Sequence, residues 1–307
     1  MQLVTHPSQL APAFRQAVVA LGNFDGVHKG HQVVLSAAKR LVSQKQKPLG
    51  VVTFEPHPRS LFIPGEAPFR ITPASVKRHL LADMGVDVLF EIPFTPDFAQ
   101  LGAEAFIEEY LVRGFAISHA VAGHDFVFGH KRGGTISLLR ETLALHGVGV
   151  EEVSPQLDEH GQIWSSTRIR AHIQKGEVRA AATLLGRSWE IEGTVIKGDA
   201  RGRDLGFPTA NIDPADTLRP LYGVYAVEVL VAGQKYKGVA NLGIRPTVDG
   251  RAEKLEIHLF DFSGDLYGQC LRVTFVDFIR AEQAFASLEA LKNQIAKDCL
   301  VARSLLN

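Results

Sequence analysis

The sequence carries almost no cysteine. Cys270 and Cys299 are the only two among 307 residues, each followed by a leucine, which excludes a four-cysteine zinc site and suits a reducing compartment better than a disulfide framework. It also lacks an excess of charge of either sign, with Lys plus Arg at 33 and Asp plus Glu at 33. A polyanion such as nucleic acid finds no global basic field here, so phosphate binding has to be local. No run approaches the ~18 apolar residues that span a bilayer, and the opening MQLVTHPSQL has no basic stretch leading into an apolar one. A cytoplasmic location is the expectation. GxGxxG and GxxxxGKS/T are both missing, which argues against a dinucleotide dehydrogenase and a P-loop enzyme.

What is present is the composition of an ordinary folded chain, 46% hydrophobic and 21% charged, at a length that favours two cores over one. From Ala17 to Val153, apolar runs of strand length alternate with segments of helical period: Ala17–Leu21 then Gln32–Val42, Leu49–Phe54 then Pro73–Asp83, Val86–Ile92 then Ala103–Arg113, Ala116–Ala122 then Thr135–His146, and finally Val148–Val153. That alternation predicts repeated βαβ units and a mostly parallel sheet with helices on both faces, its ligands at the carboxyl ends of the strands. Two helices follow, near Thr167–Lys175 and Val178–Leu185. Beyond Gly186 the runs Trp189–Ile196, Gly223–Val231, Tyr236–Leu242, Leu255–Phe260 and Leu271–Phe278 are joined by Gly-containing turns without helices, as in an antiparallel sheet or closed barrel. Phe285, Leu288, Leu291, Ile295 and Leu300 then fall at helical spacing and predict one amphipathic helix packed on that barrel.

Leu21-Gly-Asn-Phe-Asp-Gly-Val-His-Lys-Gly-His31 lies between the first strand and the first helix. His28 and His31 therefore stand at a helix N-terminus, where free N–H groups and the dipole favour phosphate oxygens, and Gly22, Gly26 and Gly30 allow close backbone approach. Two imidazoles there can donate to charge developing on a nucleotidyl phosphate. An HxxH pair by itself is equally a polar loop or a metal site; the flanking strand, glycines and helix point to phosphate. Downstream, Ser165, Ser166 and Thr167 can cap a helix with Arg168 as a fixed cation at its positive end, although an ordinary capped surface helix has the same look.

In the C-terminal half, Gly193 to Asn211 joins a strand to a glycine-rich loop. Gly198, Gly202 and Gly206 expose backbone N–H groups that can form an anion nest, with Arg201 and Arg203 beside them. Thr209 and Asn211 are two apart, so in an extended segment their hard oxygens share a face and suit Mg²⁺. Glu256 sits in an alternating strand with Lys254 and His258 outward and Leu255, Ile257 and Leu259 inward.

The chain resembles the nucleotidylyltransferase superfamily at its HxGH motif, and within it the prokaryotic bifunctional riboflavin kinase/FAD synthetase family. The resemblance extends to Thr53-Phe-Glu-Pro-His-Pro58, Gly123-His-Asp-Phe-Val-Phe-Gly129 and Ser165-Ser-Thr-Arg-Ile-Arg170, and in the second half to Gly206-Phe-Pro-Thr-Ala-Asn211, Gly223-Val-Tyr-Ala-Val, Gly238-Val-Ala-Asn-Leu-Gly243 and Leu255 through Gly268. It implies an α/β plus all-β chain: a nucleotidylyltransferase-type Rossmann-like sheet in an FMN adenylyltransferase domain over 1–185, and a riboflavin-kinase-type antiparallel barrel with a terminal helix over 186–307. It implies that Gly22, Phe24, Asp25, Gly30, Ser165, Ser166 and Thr167 hold ATP, that His28, His31 and Arg168 act on its phosphates, and that Pro56, His57, Pro58, Asp125, Phe126 and Phe128 hold flavin. In the barrel it implies Mg-ATP beside Thr209 and Asn211 and Glu256 as general base toward the riboflavin 5′-hydroxyl. Thr135 stands where that family often carries Asp. Phe260 and Tyr267 are aromatic candidates for an isoalloxazine ring. ATP and Mg²⁺ are the implied co-substrate and metal, FMN and FAD the products, and the partners small molecules, with neither nucleic acid nor membrane. Two other readings stay open: a single catalytic domain with a flavin- or nucleotide-binding regulator, and an N-terminal transferase for another small phosphate acceptor.

Overall fold

The computed structural model describes all residues except 64–66, 199–201, 203–204 and 248–249, and for 244–247 and 250–252 it describes the backbone alone. The chain forms two compact units, Met1–Glu66 with Lys77–Ser165, and Ala67–Val76 with Ser166–Asn307.

The first unit holds strands β1 (Gln2–Val4), β2 (Val18–Leu21), β3 (Leu49–Glu55), β4 (Val88–Pro93), β5 (His119–Gly123) and β6 (Gly149–Val153). All pairings are parallel, in the order β1-β4-β3-β2-β5-β6. Its helices are α1 (Lys29–Lys45), α2 (Pro58–Phe62), α3 (Ala74–Asp83) from Lys77 onward, α4 (Ala103–Phe106), which runs on as a π-helix over Ile107–Gly114, and α5 (Ile136–Ala144). Every residue of β2 is buried, yet its neighbours alternate. Val18 and Ala20 pack with Val34, Leu35 and Ala38 of α1 and Leu81 of α3, whereas Val19 and Leu21 pack with Phe106, Leu111, Leu139 and Leu143 on the opposite face. A strand covered on both sides reads as a continuous apolar run, which is why the residue pattern alone announces the parallel sheet. The edge strand β1 goes unannounced, because three residues carry no period.

From β2 the chain steps through β3 and β4 to one side, then crosses to β5 and β6 on the other. The strand order reverses between β2 and β5, so a crevice is due outside their carboxyl ends. The two loops leaving those ends begin at Gly22 and His124.

The second unit contains α6 (Ser166–Gln174), α7 (Val178–Leu185) and a closed antiparallel barrel. Its strands are β7 (Trp189–Ile196), β8 (Ala210–Ile212), β9 (Gly223–Val231), β10 (Gln234–Thr247), β11 (Gly250–Leu259) and β12 (Cys270–Ala281), ordered β10-β11-β8-β7-β12-β9. Segment 67–76 belongs to this unit through a hydrogen bond from Trp189 Nε1 to the Ile71 carbonyl (2.8 Å) and an Arg70–Asp216 ion pair (2.7 Å). Nothing in the local sequence announces that tie. Both cysteines are free, Cys270 exposed and Cys299 half-buried.

The terminal helix α8 (Leu288–Leu305) is capped by Ser287, which accepts the Ala290 N–H. It covers Val224, Ala226, Val239 and Phe260 with Cys299, Ala302 and Leu305. Of the five residues expected on its inner face, Phe285 precedes the helix, and Leu288 at 73% and Leu300 at 70% are exposed. The buried Asp298 explains Leu300: it takes three hydrogen bonds from the Arg280 guanidinium (2.7, 2.9 and 3.1 Å) and turns its own side of the helix inward. Leu300, two residues on, is then about 200° around the helix and faces out.

Candidate active sites

The crevice loop after β2 is held in an unfavourable shape. Phe24, Gly26 and Val27 all have positive φ (51°, 90° and 42°), conformations that cost a phenylalanine or a valine energy and persist only when neighbours over-determine them. The neighbours are visible: Gly22 N–H donates to Val52 (3.2 Å), Gln32 Nε2 to the Val27 carbonyl (3.0 Å), and Thr53 Oγ1 to the Asn23 carbonyl (3.0 Å). Phe24 and Asp25 are buried, so Phe24 shapes the loop from beneath rather than offering its ring at the surface.

The loop ends at His28, the N-cap of α1, whose Nδ1 accepts the His31 N–H at 3.4 Å. In the neutral ring that leaves the proton on Nε2, which becomes a donor. The His28 and His31 rings stack with centroids 3.7 Å apart at 20°, and Phe24 tilts against His31 at 5.0 Å. Gly30 leaves the stack room: a Cβ there would lie 3.0 Å from His28 Cε1 and 3.3 Å from the Trp164 carbonyl, so the imidazole would have to give by a few tenths of an ångström. Because Trp164 reaches the start of α1, with Lys29 Nζ 5.9 Å from its ring centre, Ser165 emerges beside the same helix end. Ser166, Thr167 and Arg168 open α6 and group with the second unit.

The strings implied for flavin come together through aromatic contacts that neither string announces. Pro56 follows β3, His57 caps α2 by accepting the Arg59 N–H, and Pro58 is that helix's first residue. After β5, Asp125 is exposed, while Phe126 stacks on the buried Phe128 at 5.4 Å. From Phe128 the contacts run to Phe106 (5.6 Å), Phe54 (6.1 Å), Phe94 (5.7 Å) and Phe62 (5.9 Å). Phe62 is 64% exposed, an unusual place for a large ring. Gly129 and Gly134 make the turn possible, since a Cβ at 129 would sit 2.7 Å from the Ala103 backbone and one at 134 would meet the Phe128 ring at 2.7 Å. Thr135 caps α5 by accepting the Leu138 N–H, a task Asp performs equally well, which accounts for either residue there.

In the barrel, strand register assembles the second candidate site. Asn211 on β8 lies directly opposite Glu256 on β11, and Glu256 lies opposite Asn241 on β10. Opposed residues share a face with Cβ atoms about 5 Å apart, so one carboxylate stands between two carboxamides. The inward set Leu255, Ile257 and Leu259 is buried and Glu256 half-buried, as the alternation required.

The glycine loop folds onto the same spot. A Cβ on Gly198 would overlap the Asn211 carboxamide, and one on Gly202 would lie 3.2 Å from Thr209 Oγ1. Gly206 has φ +86° and is exposed. Arg201 and Arg203 lie outside the described residues. Phe260 is core beneath α8, with the Arg303 guanidinium 4.2 Å from its ring centre, so of the two aromatic candidates only Tyr267 is exposed. Thr209 and Asn211 offer hard oxygens beside Gly202 and Gly198, the donor type that Mg²⁺ takes together with water and phosphate. Among the described residues no group of three or more His, Cys, Asp or Glu is placed to hold a metal. Gly198→Ala is expected to displace the Asn211 side chain, which a structure of the variant would read directly.

The match to known proteins covers the whole chain. A family model described as FAD synthetase matches residues 11–168 and one described as riboflavin kinase matches 185–306. The bifunctional riboflavin kinase/FMN adenylyltransferase of Escherichia coli K12 is 40% identical over 305 residues, covering 99% of this chain and 97% of that one. The protein of the same description from Bacillus subtilis 168 is 38% identical over 301 residues, covering 96% and 94%. A Streptococcus pneumoniae crystal structure described as a macrolide-efflux protein superposes with a TM-score of 0.86 at 34% identity, covering 98% of each chain. Among the described residues of the present chain, no helix is long and apolar enough to cross a membrane.

Proposed function

The chain belongs to the bifunctional riboflavin kinase/FMN adenylyltransferase family, and from that premise we propose how its residues divide the two reactions. The enzyme phosphorylates riboflavin to FMN and adenylylates FMN to FAD, using ATP each time. With both enzymatic modules present, a lone catalytic domain with a regulatory partner is the weaker reading. Kinase chemistry belongs to 186–307 and adenylyl transfer to 1–185, a division supported by the limits of the two family matches.

In the kinase site the riboflavin 5′-hydroxyl oxygen attacks the γ-phosphorus of ATP, its proton passes to Glu256, and ADP leaves. Gly198, Gly202 and Gly206 with Arg201 and Arg203 cradle the phosphates. Thr209 and Asn211 would hold Mg²⁺, which would supply neutralisation of phosphate charge. The observation that carries this assignment is the register that sets Asn211 opposite Glu256.

In the adenylylation site an FMN phosphate oxygen attacks the α-phosphorus of a second ATP, and the bond to the bridging oxygen breaks to release pyrophosphate. His28 and His31 donate to the charge on the transferring group, while Ser165 and the α1 N-terminus bind phosphate oxygens; Ser166, Thr167 and Arg168 keep the ATP role that the family resemblance implies for them. The FMN phosphate is already a competent nucleophile, so no covalent enzyme intermediate is needed. Flavin is held by Pro56, His57, Pro58, Asp125, Phe126 and Phe128, and the exposed Phe62 ring extends that surface. The reactions are assigned to the cytoplasm, where ATP is made.

The whole is tested by incubating the purified chain with riboflavin, ATP and Mg²⁺ and following products by chromatography. FMN should rise first and FAD at its expense, with one pyrophosphate per FAD and nothing formed in the presence of a chelator. FAD without transient FMN, or turnover without a divalent metal, would refute the division.

A further inference from the structure

Lys77 is a lysine with 3% of its surface exposed, in a helix whose other charged residues lie nearer solvent. Its Nζ is 3.2 Å from Thr53 Oγ1 and 3.8 Å from a Glu55 carboxylate oxygen. An ammonium only donates, so the Thr53 hydroxyl accepts from it and must turn its single hydrogen elsewhere. It turns to the Asn23 carbonyl, 3.0 Å away, in the strained loop that ends at His28. Glu55, for its part, immediately precedes Pro56 and the turn into α2. One buried cation thus has a hand on both segments of the crevice, the phosphate loop through Thr53 and the 55–58 turn through Glu55.

We infer that Lys77 is a positioning residue for adenylyl transfer, orienting the Thr53 hydroxyl so that the 22–28 loop holds its shape and the two segments keep their spacing. A buried ammonium is costly to desolvate, and leucine or methionine would satisfy packing at lower cost. The cost is explained if the donor is needed to set the direction of the Thr53 hydrogen bond. The inference rests on the reading that the His28 loop carries adenylyl transfer.

The test uses the full chain, with riboflavin phosphorylation in the same molecule as internal control. Lys77→Met and Thr53→Val should each lower kcat for FMN adenylylation about 10- to 100-fold while leaving phosphorylation within about two-fold, since small misplacements cost on this scale. Thr53→Ser keeps the hydroxyl and should stay near the parent rate. The double variant Lys77→Met with Thr53→Val should be no slower than the worse single one, because the two residues act in series. Thr53→Val as active as Thr53→Ser, or losses that multiply in the double variant, would overturn the inference. If Lys77→Met does not fold, the valine and serine variants decide alone. His28→Ala run alongside separates the two possible failures: adenylylation that survives it sinks the site assignment, whereas its loss with an unaffected Thr53→Val sinks only the role of Lys77.

Discussion

Replacing His28 by alanine should lower FAD formation from supplied FMN by at least about 10²- to 10³-fold in kcat, the usual cost of one pre-organised donor to a developing charge. FMN formation from riboflavin should continue at the parent rate in the same preparation. The magnitude follows from what the imidazole does at this position. Its Nδ1 is occupied by the His31 N–H, which leaves Nε2 as the donor, and its ring supports that of His31 by stacking. Alanine removes the donor, the support and the cap of α1 together. The cap alone is worth about 1 kcal/mol of stability, so the thermal midpoint should fall slightly. His28→Asn separates these contributions, because asparagine caps helices well but cannot reproduce the stacked imidazole: it should recover the thermal midpoint and leave FAD formation lost. An asparagine variant that makes FAD at the parent rate would mean that His28 serves only to start the helix.

Glu256→Gln is expected to give the mirror image. Riboflavin phosphorylation should fall by roughly 10²- to 10⁴-fold, the usual contribution of a general base, with adenylylation of supplied FMN preserved. Glutamine keeps the size of the side chain and its place opposite Asn211 and Asn241, so the barrel ladder is not disturbed. What it loses is the capacity to accept the hydroxyl proton. Substrate affinities should change little, and the loss should appear in kcat. Equal loss of both activities would show that the substitution acts on the whole molecule, and unchanged phosphorylation would remove Glu256 from the proton transfer. Together the two variants form a complementation test: mixed with riboflavin and ATP, the kinase-competent and adenylylation-competent chains should make FAD that neither makes alone.

Much of this architecture is legible in the order of the amino acids. The β7 and β9 limits agree with the apolar runs Trp189–Ile196 and Gly223–Val231, since β-branched and aromatic residues suit a barrel strand and a glycine two residues on, Gly198 or Gly233, marks the turn. The central parallel strands are equally plain, as two-sided burial leaves an unbroken apolar string. Expectation fails where local pattern and tertiary context diverge. Leu300 is expected on the inner face with Leu291 and Ile295, yet the Arg280–Asp298 pair turns the opposite side of α8 inward. Segment 67–76 lies between elements of the sheet in sequence and is drawn into the barrel's unit by Trp189 and Asp216.

The sequence by itself determined the two kinds of fold and the identity of both motifs, because strand and helix periods, glycine spacing and phosphate-binding residue types are local properties. Tertiary structure alone decided which partners those residues meet: the stacked imidazoles over Gly30, the phenylalanine contacts that join two distant strings, Asn211 set against Glu256, and the lysine beneath Thr53. The physical reason is that such contacts depend on register and on which sheet face a side chain occupies, and these are settled by residues far away in the chain.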